Sequence, residues 1–313
     1  VVAVVETQKG AIETEIFEAG EDRAGLRPGM LRQNGHAYAH ASQDTVERVS
    51  VRLVATDLDG TIVRSDGTIS QRTAKALARV EEVGAAVVLV TGRPPRWIAP
   101  VAEATGHHGV VICSNGAIIY DLHDERIVES FLIPTETVVE VVAILAEAMP
   151  ELAFAVETGD DVYRGPGYRG GWVVNPDPDS TSIPVRELTT HSAAKLLASH
   201  PTMDVDELLH RTSKLVSHLV SPTHSNGRGL VEMGALGVSK ATTLARFAAE
   251  LGVEPAQVLA FGDMPNDLPM LVWAGTAYAV ANAHPLVLEA VDRTTTSNDD
   301  DGDAQVLEEI FGI

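Results

Sequence analysis

The run from Val51 to Gly67, VRLVATDLDGTIVRSDG, constrains this chain more than any other stretch. Arg52 to Thr56 reads as a mostly apolar strand rich in β-branched residues, and it stops abruptly at Asp57-Leu58-Asp59-Gly60-Thr61, where two carboxylates and a glycine replace the hydrophobes. Carboxylates at the C-terminal end of a parallel strand project into the crevice where open α/β sheets bind ligands, and Gly60 lets the backbone turn tightly beneath them. Taken alone, the same residues also fit an Asp-Gly turn that merely leaves a strand. Three later stretches favour the crevice.

The first is Ala86-Val87-Val88-Leu89-Val90 followed by Thr91-Gly92-Arg93-Pro94, a second apolar strand that ends in a hydroxyl and a glycine. The next is Gly237-Val238-Ser239-Lys240-Ala241-Thr242, which puts a lysine at the start of an amphipathic helix running to about Leu251. The last is Val258-Leu259-Ala260-Phe261-Gly262-Asp263-Met264-Pro265-Asn266-Asp267, a strand that again ends in acids. In this order the four stretches resemble the four signature motifs of the haloacid dehalogenase-like (HAD) phosphohydrolase superfamily. The tail, Ala281-Asn282-Ala283 with Ser297-Asn298-Asp299-Asp300-Asp301-Gly302, looks like the Cof-type subfamily, whose members carry a large C2 cap. The resemblance covers residues 51 to 313.

It implies an α/β fold, a doubly wound parallel-sheet core over 51–132 and 226–313 with an inserted α+β cap over 133–225. The strand-helix alternation after Val51 agrees. A helix is expected over Gln71 to Val83, with an apolar stripe at Ala74, Leu77, Ala78 and Val80 and Gly84 near its C-terminal end. Ile118–Tyr120 and Ile127–Phe131 read as a hairpin. In the cap, Thr135 is placed to cap a helix, and Lys195–Leu197 and Leu215–Val220 read as strands around a helix at Asp204 to His210. Gly229 to Met233 reads as the return to the core. The acidic run Asp299 to Asp303 lacks the spaced ligands and closing glutamate of an EF-hand and reads as a solvated helix-capping loop.

Composition removes several classes of function. A formal net charge of -21 argues against nucleic acid or an anionic membrane surface as partner, and means that an anionic substrate must be drawn in by a bound cation and local donors. The single cysteine, Cys113, rules out an internal disulfide and a cysteine metal cluster, and in its apolar run it reads as a buried, inert thiol. No stretch approaches the roughly 18 to 20 apolar residues that span a bilayer, and the apolar Val1 to Val5 carries no basic leader, so a cytoplasmic enzyme is expected. Residues 1–50 stand outside the resemblance. Their polar, glycine-rich segment at 18–29 reads as a flexible, catalytically dispensable extension, after a short strand or two in Val1 to Ile16. Oligomeric state is not legible.

The resemblance assigns the site residue by residue. Asp57 would be the nucleophile and, at an ordinary carboxyl pKa of about 4, would need no base to ionise it. Asp59 would protonate the leaving alcohol and then activate water. Mg²⁺ would sit on Asp57, the Asp59 backbone and Asp263, with Asp267 as a further ligand or holding a metal-bound water. Thr91 and the Gly92 amide would hold phosphate oxygens, Lys240 would neutralise charge on phosphate and on Asp57, and Asn266 would contact substrate. One departure from the pattern is Ala241, where the family usually has glycine after the lysine. Arg93 fits a scaffold ion pair as well as a substrate contact, Asn115 fits a turn cap, and Arg164, Arg169 and His218 are polar cap residues that could set specificity. The expected activity is hydrolysis of a small phosphorylated metabolite, a sugar phosphate or phosphorylated cofactor. A phosphomannomutase-like phosphomutase and a non-catalytic phosphometabolite sensor are the alternatives.

Overall fold

The structure, a computed structural model, describes residues 2–6, 12–16, 51–168, 181–225 and 229–313. Near the N-terminus β1 (Val2–Glu6) and β2 (Ile12–Ile16) pair antiparallel, the expected short strands; the polar segment at 18–29 and Arg169 lie outside the described residues. The larger unit is described from Val51. It runs through β3 (Leu53–Thr56), α1 (Gln71–Glu82), β4 (Ala86–Val90), α2 (Ala99–Thr105), β5 (Val110–Cys113), β6 (Ile118–Asp121) and β7 (Arg126–Ser130). There follow α3 (Thr135–Ala148), β8 (Ala153–Glu157), β9 (Val162–Arg164), β10 (Thr181–Ser182), α4 (Val185–Leu188), β11 (Lys195–Ser199), α5 (Val205–Val216), β12 (Val220–Thr223) and β13 (Leu230–Ala235). The chain closes with α6 (Lys240–Glu250), β14 (Val258–Gly262), α7 (Leu268–Trp273), β15 (Thr276–Val280), α8 (Pro285–Ala290), β16 (Thr294–Thr295) and α9 (Gly302–Phe311).

Among the described residues the core sheet has the order β16-β15-β14-β3-β4-β5-β6-β7, parallel from β16 to β5 and antiparallel through the β6–β7 hairpin. Every residue of β3, β4, β5 and β14 is buried, which is why these strands read as unbroken apolar runs: helices cover both faces. In α1, Ser70 accepts from the Thr73 N–H at 2.9 Å and Gly84 follows the helix at φ +93°. Its buried face runs through Thr73, Ala76, Leu77 and Val80, so Ala78 turns outward instead of joining the stripe.

The inserted unit is a second sheet, β10-β9-β8-β11-β13-β12, antiparallel except at β10–β9, with α3 and α5 contributing Val138, Val142, Leu145 and Leu208 to its own core with Phe154, Leu196 and Met233. Three expectations fail here. Leu215 and Val216 are the last turn of α5, not a strand, and the strand begins only at Val220. Pro134, not Thr135, precedes the first residue of α3, and its side chain offers no cap. Most consequentially, β13, read as the return to the core, is an inner cap strand paired with β11 and β12. An apolar run is compatible with either sheet, and only the partner strands decide. The chain therefore crosses back at 236–239, immediately before α6.

Candidate active site

β14, β3, β4 and β5 are adjacent and parallel, so their C-terminal ends open on one edge of the sheet. The segments that follow them, beginning at Asp263, Asp57, Thr91 and Ser114, are thereby brought together from sequence separations of more than 200 residues. Two glycines make the approach possible. Gly60 has φ +85°, and a Cβ there would lie 2.2 Å from Asp263 Oδ2; a Cβ at Gly262 would lie 2.6 Å from that of Asp267. Thr61 donates to Asp263 Oδ1 at 3.2 Å, and the backbone N–H groups of Asp263 and Met264 donate to Asp267 Oδ2 at 3.0 and 2.9 Å.

Lys240 enters from the cap side as the first residue of α6. Ser239 and Thr242 form a reciprocal capping box that fixes this helix start, and Thr243 donates to the Gly116 carbonyl at 2.7 Å, so alanine at 241 does not displace the lysine. The Lys240 ammonium, 1% exposed, donates to Asp57 Oδ1 at 2.5 Å and Asp267 Oδ1 at 2.6 Å. Burial alone would lower its pKa, but the Asp267 and Asp57 carboxylates outweigh that and push it up. Asp57 does not behave as an ordinary exposed carboxyl: burial raises it to about 7, Lys240 opposes this, and Asp267 and Asp59 add to it. Burial, Asp57 and Asp267 likewise push Asp263 well up. One oxygen from each of Asp57, Asp263 and Asp267 lies within 4.8 Å of the others, a grouping able to hold a metal ion.

Asp59 pairs instead with Arg93. Arg93 clasps it through Nε to Oδ2 at 2.8 Å and through a terminal nitrogen to Oδ1 at 2.5 Å, an ion pair that also lines the pocket. Asp59 is not part of the metal-sized carboxylate group. Thr91 is buried and its hydroxyl oxygen accepts from the Arg93 N–H at 3.0 Å, leaving the hydroxyl proton to donate elsewhere. Asn266 donates to Asn115 Oδ1 at 3.1 Å, while its own Oδ1 is buried with no partner among the described residues. The pocket is lined by Asp57, Asp59, Gly92, Arg93, Ser225, Glu232, Met264 and Asn266. Arg164 and His218 are not among these residues.

Four residues escaped the sequence reading. Lys195 from β11 is 4% exposed and donates to the Gly92 carbonyl at 2.7 Å; Glu232 of β13 lies 3.4 Å and Glu157 of β8 3.6 Å from its nitrogen. Burial opposes the Lys195 charge, and Glu157 and Glu232 more than restore it. Ser114 donates to Glu157 at 2.8 Å, and Asn115 donates to Glu232 Oε2 at 2.5 Å, so Asn115 is a bridge between cap and core as well as a turn residue. The sequence signal for the three charged residues is a charge inside or at the end of a largely apolar strand. Cys113 is buried, and burial and Glu157 push its thiol up, in keeping with an inert group.

The acidic tail is structural, but not merely solvated. Asp299 accepts from Ser65 at 2.8 Å and Asp301 pairs with Arg64 at 2.6 Å, anchoring the segment after Asp57, while Asp303 is buried. A second metal-sized group joins Asp206 and His224 of the cap to His284 of the core. His224 Nε2 meets Asp206 at 2.9 Å, and His284 Nδ1 accepts the Leu286 N–H at 3.3 Å, which puts the His284 proton on Nε2 towards Asp206. The His284 ring stands 4.0 Å from Asp206, beyond hydrogen-bond distance. Among the described residues no helix is long and apolar enough to cross a membrane.

The family model for haloacid dehalogenase-like hydrolases matches residues 54–307. The 5-amino-6-(5-phospho-D-ribitylamino)uracil phosphatase YcsE of Bacillus subtilis (strain 168) is 29% identical over 271 residues, covering 83% of this chain and 96% of that protein. The pyridoxal phosphate phosphatase YbhA of Escherichia coli (strain K12) is 27% identical over 271 residues, covering 83% and 98%. Among solved structures, the HAD phosphatase BT1666 of Bacteroides thetaiotaomicron superposes with a TM-score of 0.72 at 24% identity, covering 87% of this chain and 100% of that one. With three strand-end motifs and a helix-start lysine meeting at one sheet edge, the chain belongs to the haloacid dehalogenase-like hydrolases, in their Cof-type branch.

Proposed function

We propose that the chain is a magnesium-dependent phosphatase that hydrolyses phosphate monoesters of small metabolites through a covalent intermediate on Asp57. The observation that carries this reading is the contact of Lys240 with Asp57 and Asp267 behind a pocket that also presents Asp59, Gly92 and Asn266. YcsE and YbhA are named for a phosphorylated ribitylamino compound and a phosphorylated cofactor, which supports a sugar-like or cofactor-like phosphate as substrate.

The acidic group fits a divalent cation. Three buried carboxylates face one ammonium, leaving an excess of negative charge that a dication balances, and an all-oxygen donor set suits Mg²⁺. Asp57, Asp263 and Asp267, with the Asp59 backbone carbonyl, would hold it. When bound, Mg²⁺ supplies positive charge between the Asp57 carboxylate and an anionic phosphate and favours the ionised form of Asp57.

Asp57 attacks phosphorus as the bond to the leaving alcohol oxygen breaks, and that oxygen takes its proton from Asp59. A water molecule then gives a proton to Asp59 and attacks the phosphoryl group, breaking its bond to Asp57 and releasing inorganic phosphate. The Thr91 hydroxyl and Gly92 N–H donate to phosphate oxygens, and Lys240 orients Asp57. The Arg93 clasp on Asp59 must open before Asp59 can pass a proton to the leaving group, so substrate arrival and the acid's release are linked. Ser225 and Glu232 of the inserted unit line the pocket, a position from which the cap limits access of bulk water.

The test is inorganic phosphate release from a panel of phosphorylated metabolites with Mg²⁺, with and without EDTA, and with no bisphosphate activator. EDTA-sensitive release supports the reading. Turnover only with a bisphosphate supports the phosphomutase, and binding without turnover supports the sensor.

A further inference from the structure

Away from the phosphoryl chemistry, one side-chain cluster joins cap to core. Asp206 stands in the first turn of α5, His224 follows β12 and His284 precedes α8, and one ligand-capable atom from each lies within 4.8 Å of the others. The fully buried His224 sets Nε2 2.9 Å from Asp206 Oδ1, and His284 sets its Nε2 4.0 Å from the other oxygen, Oδ2. The two rings meet edge to face with centroids 5.8 Å apart. A four-coordinate zinc ion with bonds of about 2.0 to 2.1 Å holds neighbouring ligand atoms about 3.3 Å apart and two bound imidazole centroids about 5 to 6 Å apart. The two nitrogen–oxygen spacings bracket the first requirement and the rings meet the second.

The proton chemistry allows an ion there. Burial pushes His224 below the ordinary histidine range against the pull of Asp206, which favours the neutral ring, the form that binds metal. Its Nδ1 is buried with no partner among the described residues, so a proton moved there from Nε2 breaks no hydrogen bond at Nδ1 and leaves the Nε2 lone pair facing Asp206. A lone pair against a carboxylate is repulsive unless a cation stands between them. In His284 the same shift gives up only the Leu286 N–H contact, at 3.3 Å a long one. Two imidazoles and a carboxylate suit a borderline ion such as Zn²⁺, whereas the all-oxygen group at Asp57, Asp263 and Asp267 suits Mg²⁺, so the donor sets sort the two cations.

We propose that Asp206, His224 and His284 form a second cation site, for one zinc-type divalent ion, that fastens the cap to the core. Asp206 and His224 lie on the cap, and Ser225, next to His224, lines the catalytic pocket. On the core side the His284 backbone N–H donates to the Asp263 carbonyl at 2.8 Å, so an ion held here ties the cap to the segment that carries Asp263. Resting on the phosphatase reading, the bound ion also slows turnover, because a fastened cap restricts substrate entry and product release.

The experiment adds Zn²⁺ to the whole chain in excess Mg²⁺ and reads equilibrium dialysis, melting temperature and phosphate release from p-nitrophenyl phosphate. The wild type should bind one Zn²⁺, melt higher and turn over more slowly. Asp206→Asn and His284→Asn, the second keeping a side-chain acceptor for the start of α8, should each bind Zn²⁺ about 100-fold more weakly, lose the rise in melting temperature and escape the inhibition, with unchanged turnover in Mg²⁺ alone. Both side chains are partly exposed, and either variant carries the test if the other melts early. No binding by the wild type, or binding unchanged in both variants, overturns the site. Binding that persists in these variants and vanishes in Asp263→Asn puts Zn²⁺ in the core group and overturns it equally. Inhibition as strong in the variants as in the wild type overturns the restraint on turnover. Absence of Mg²⁺-dependent turnover in every protein overturns the phosphatase reading, while dialysis still decides the site.

Discussion

Lys240 in the core and Lys195 in the cap are both buried ammonium groups between two carboxylates, but the surroundings of those carboxylates differ. Around Lys195, Glu157 also accepts from Ser114 and faces Arg96 at 3.6 Å, and Glu232 also accepts from Asn115, so the cap group is close to self-sufficient. Around Lys240, Asp57 and Asp267 have a third acid, Asp263, as neighbour, and burial with mutual repulsion pushes Asp57 and Asp263 up. A folded chain tolerates that imbalance where something else completes it, which is why buried groups with displaced pKa values mark functional positions. The core group is built to receive charge, and the cap group to hold a shape.

The sharpest way to break this comparison is Asp57→Asn, which removes the nucleophile and one of the crowded charges together. Turnover should fall by about 10⁴-fold or more in a phosphate-release assay while the melting temperature holds or rises, because Lys240 keeps Asp267. Substantial remaining turnover would refute the nucleophile. Replacing each lysine by methionine comes next. Both variants strand two buried carboxylates, so both should lose about 3 to 5 kcal/mol in urea unfolding. Their activities should part: Lys240→Met loses about 10³-fold in kcat, whereas Lys195→Met loses about ten-fold, mainly in KM, through a loosened Gly92. Equal kinetic losses would erase the distinction between the two sites.

The same contrast explains what the sequence makes legible. Asp57, Thr91, Lys240 and Asp263 each stand at a strand end or helix start, where the switch from apolar to polar is visible in a linear string, and a parallel sheet then aligns such ends automatically. Glu232 sits inside an otherwise apolar cap strand, Lys195 opens β11 and Glu157 ends β8, and which of them meet is set by an antiparallel register that carries no local mark. Lys195 meets Gly92 from 103 residues away, and Asn115 meets Glu232 from 117. For that reason the apolar run of β13 fits either sheet in the sequence, and only its pairing with β11 and β12 places Glu232 in the cap. The Arg93–Asp59 clasp was open to either reading because a guanidinium beside an acid serves scaffold and substrate alike.

Metal addition tests the imbalance directly and without catalysis. If the core group is short of positive charge, saturating Mg²⁺ at about 100 times its dissociation constant should stabilise the wild type by about 2.7 kcal/mol, seen as a higher melting temperature. Asp263→Asn should abolish most of that shift, whereas Lys195→Met, although less stable to begin with, should keep it. A shift that survives Asp263→Asn would place the cation elsewhere.

The smallest expected effect concerns a buried acid that belongs to neither lysine. Asp303, 1% exposed on α9, receives the Thr73 hydroxyl at 3.3 Å on one oxygen and has no partner for the other among the described residues. Burial raises its pKa to about 6 from 3.8. Between those values the unfolded chain gives up a proton that the folded chain retains, so stability falls as pH rises through the window and the penalty is complete above about pH 6. Asp303→Asn keeps an acceptor for Thr73 and removes the buried charge. It should therefore be more stable than the wild type at pH 7, by about 1 to 3 kcal/mol in urea unfolding, with the gap closing towards pH 4. A gap independent of pH would mean that Asp303, unlike Asp57 and Asp263, is not a charge held at a cost.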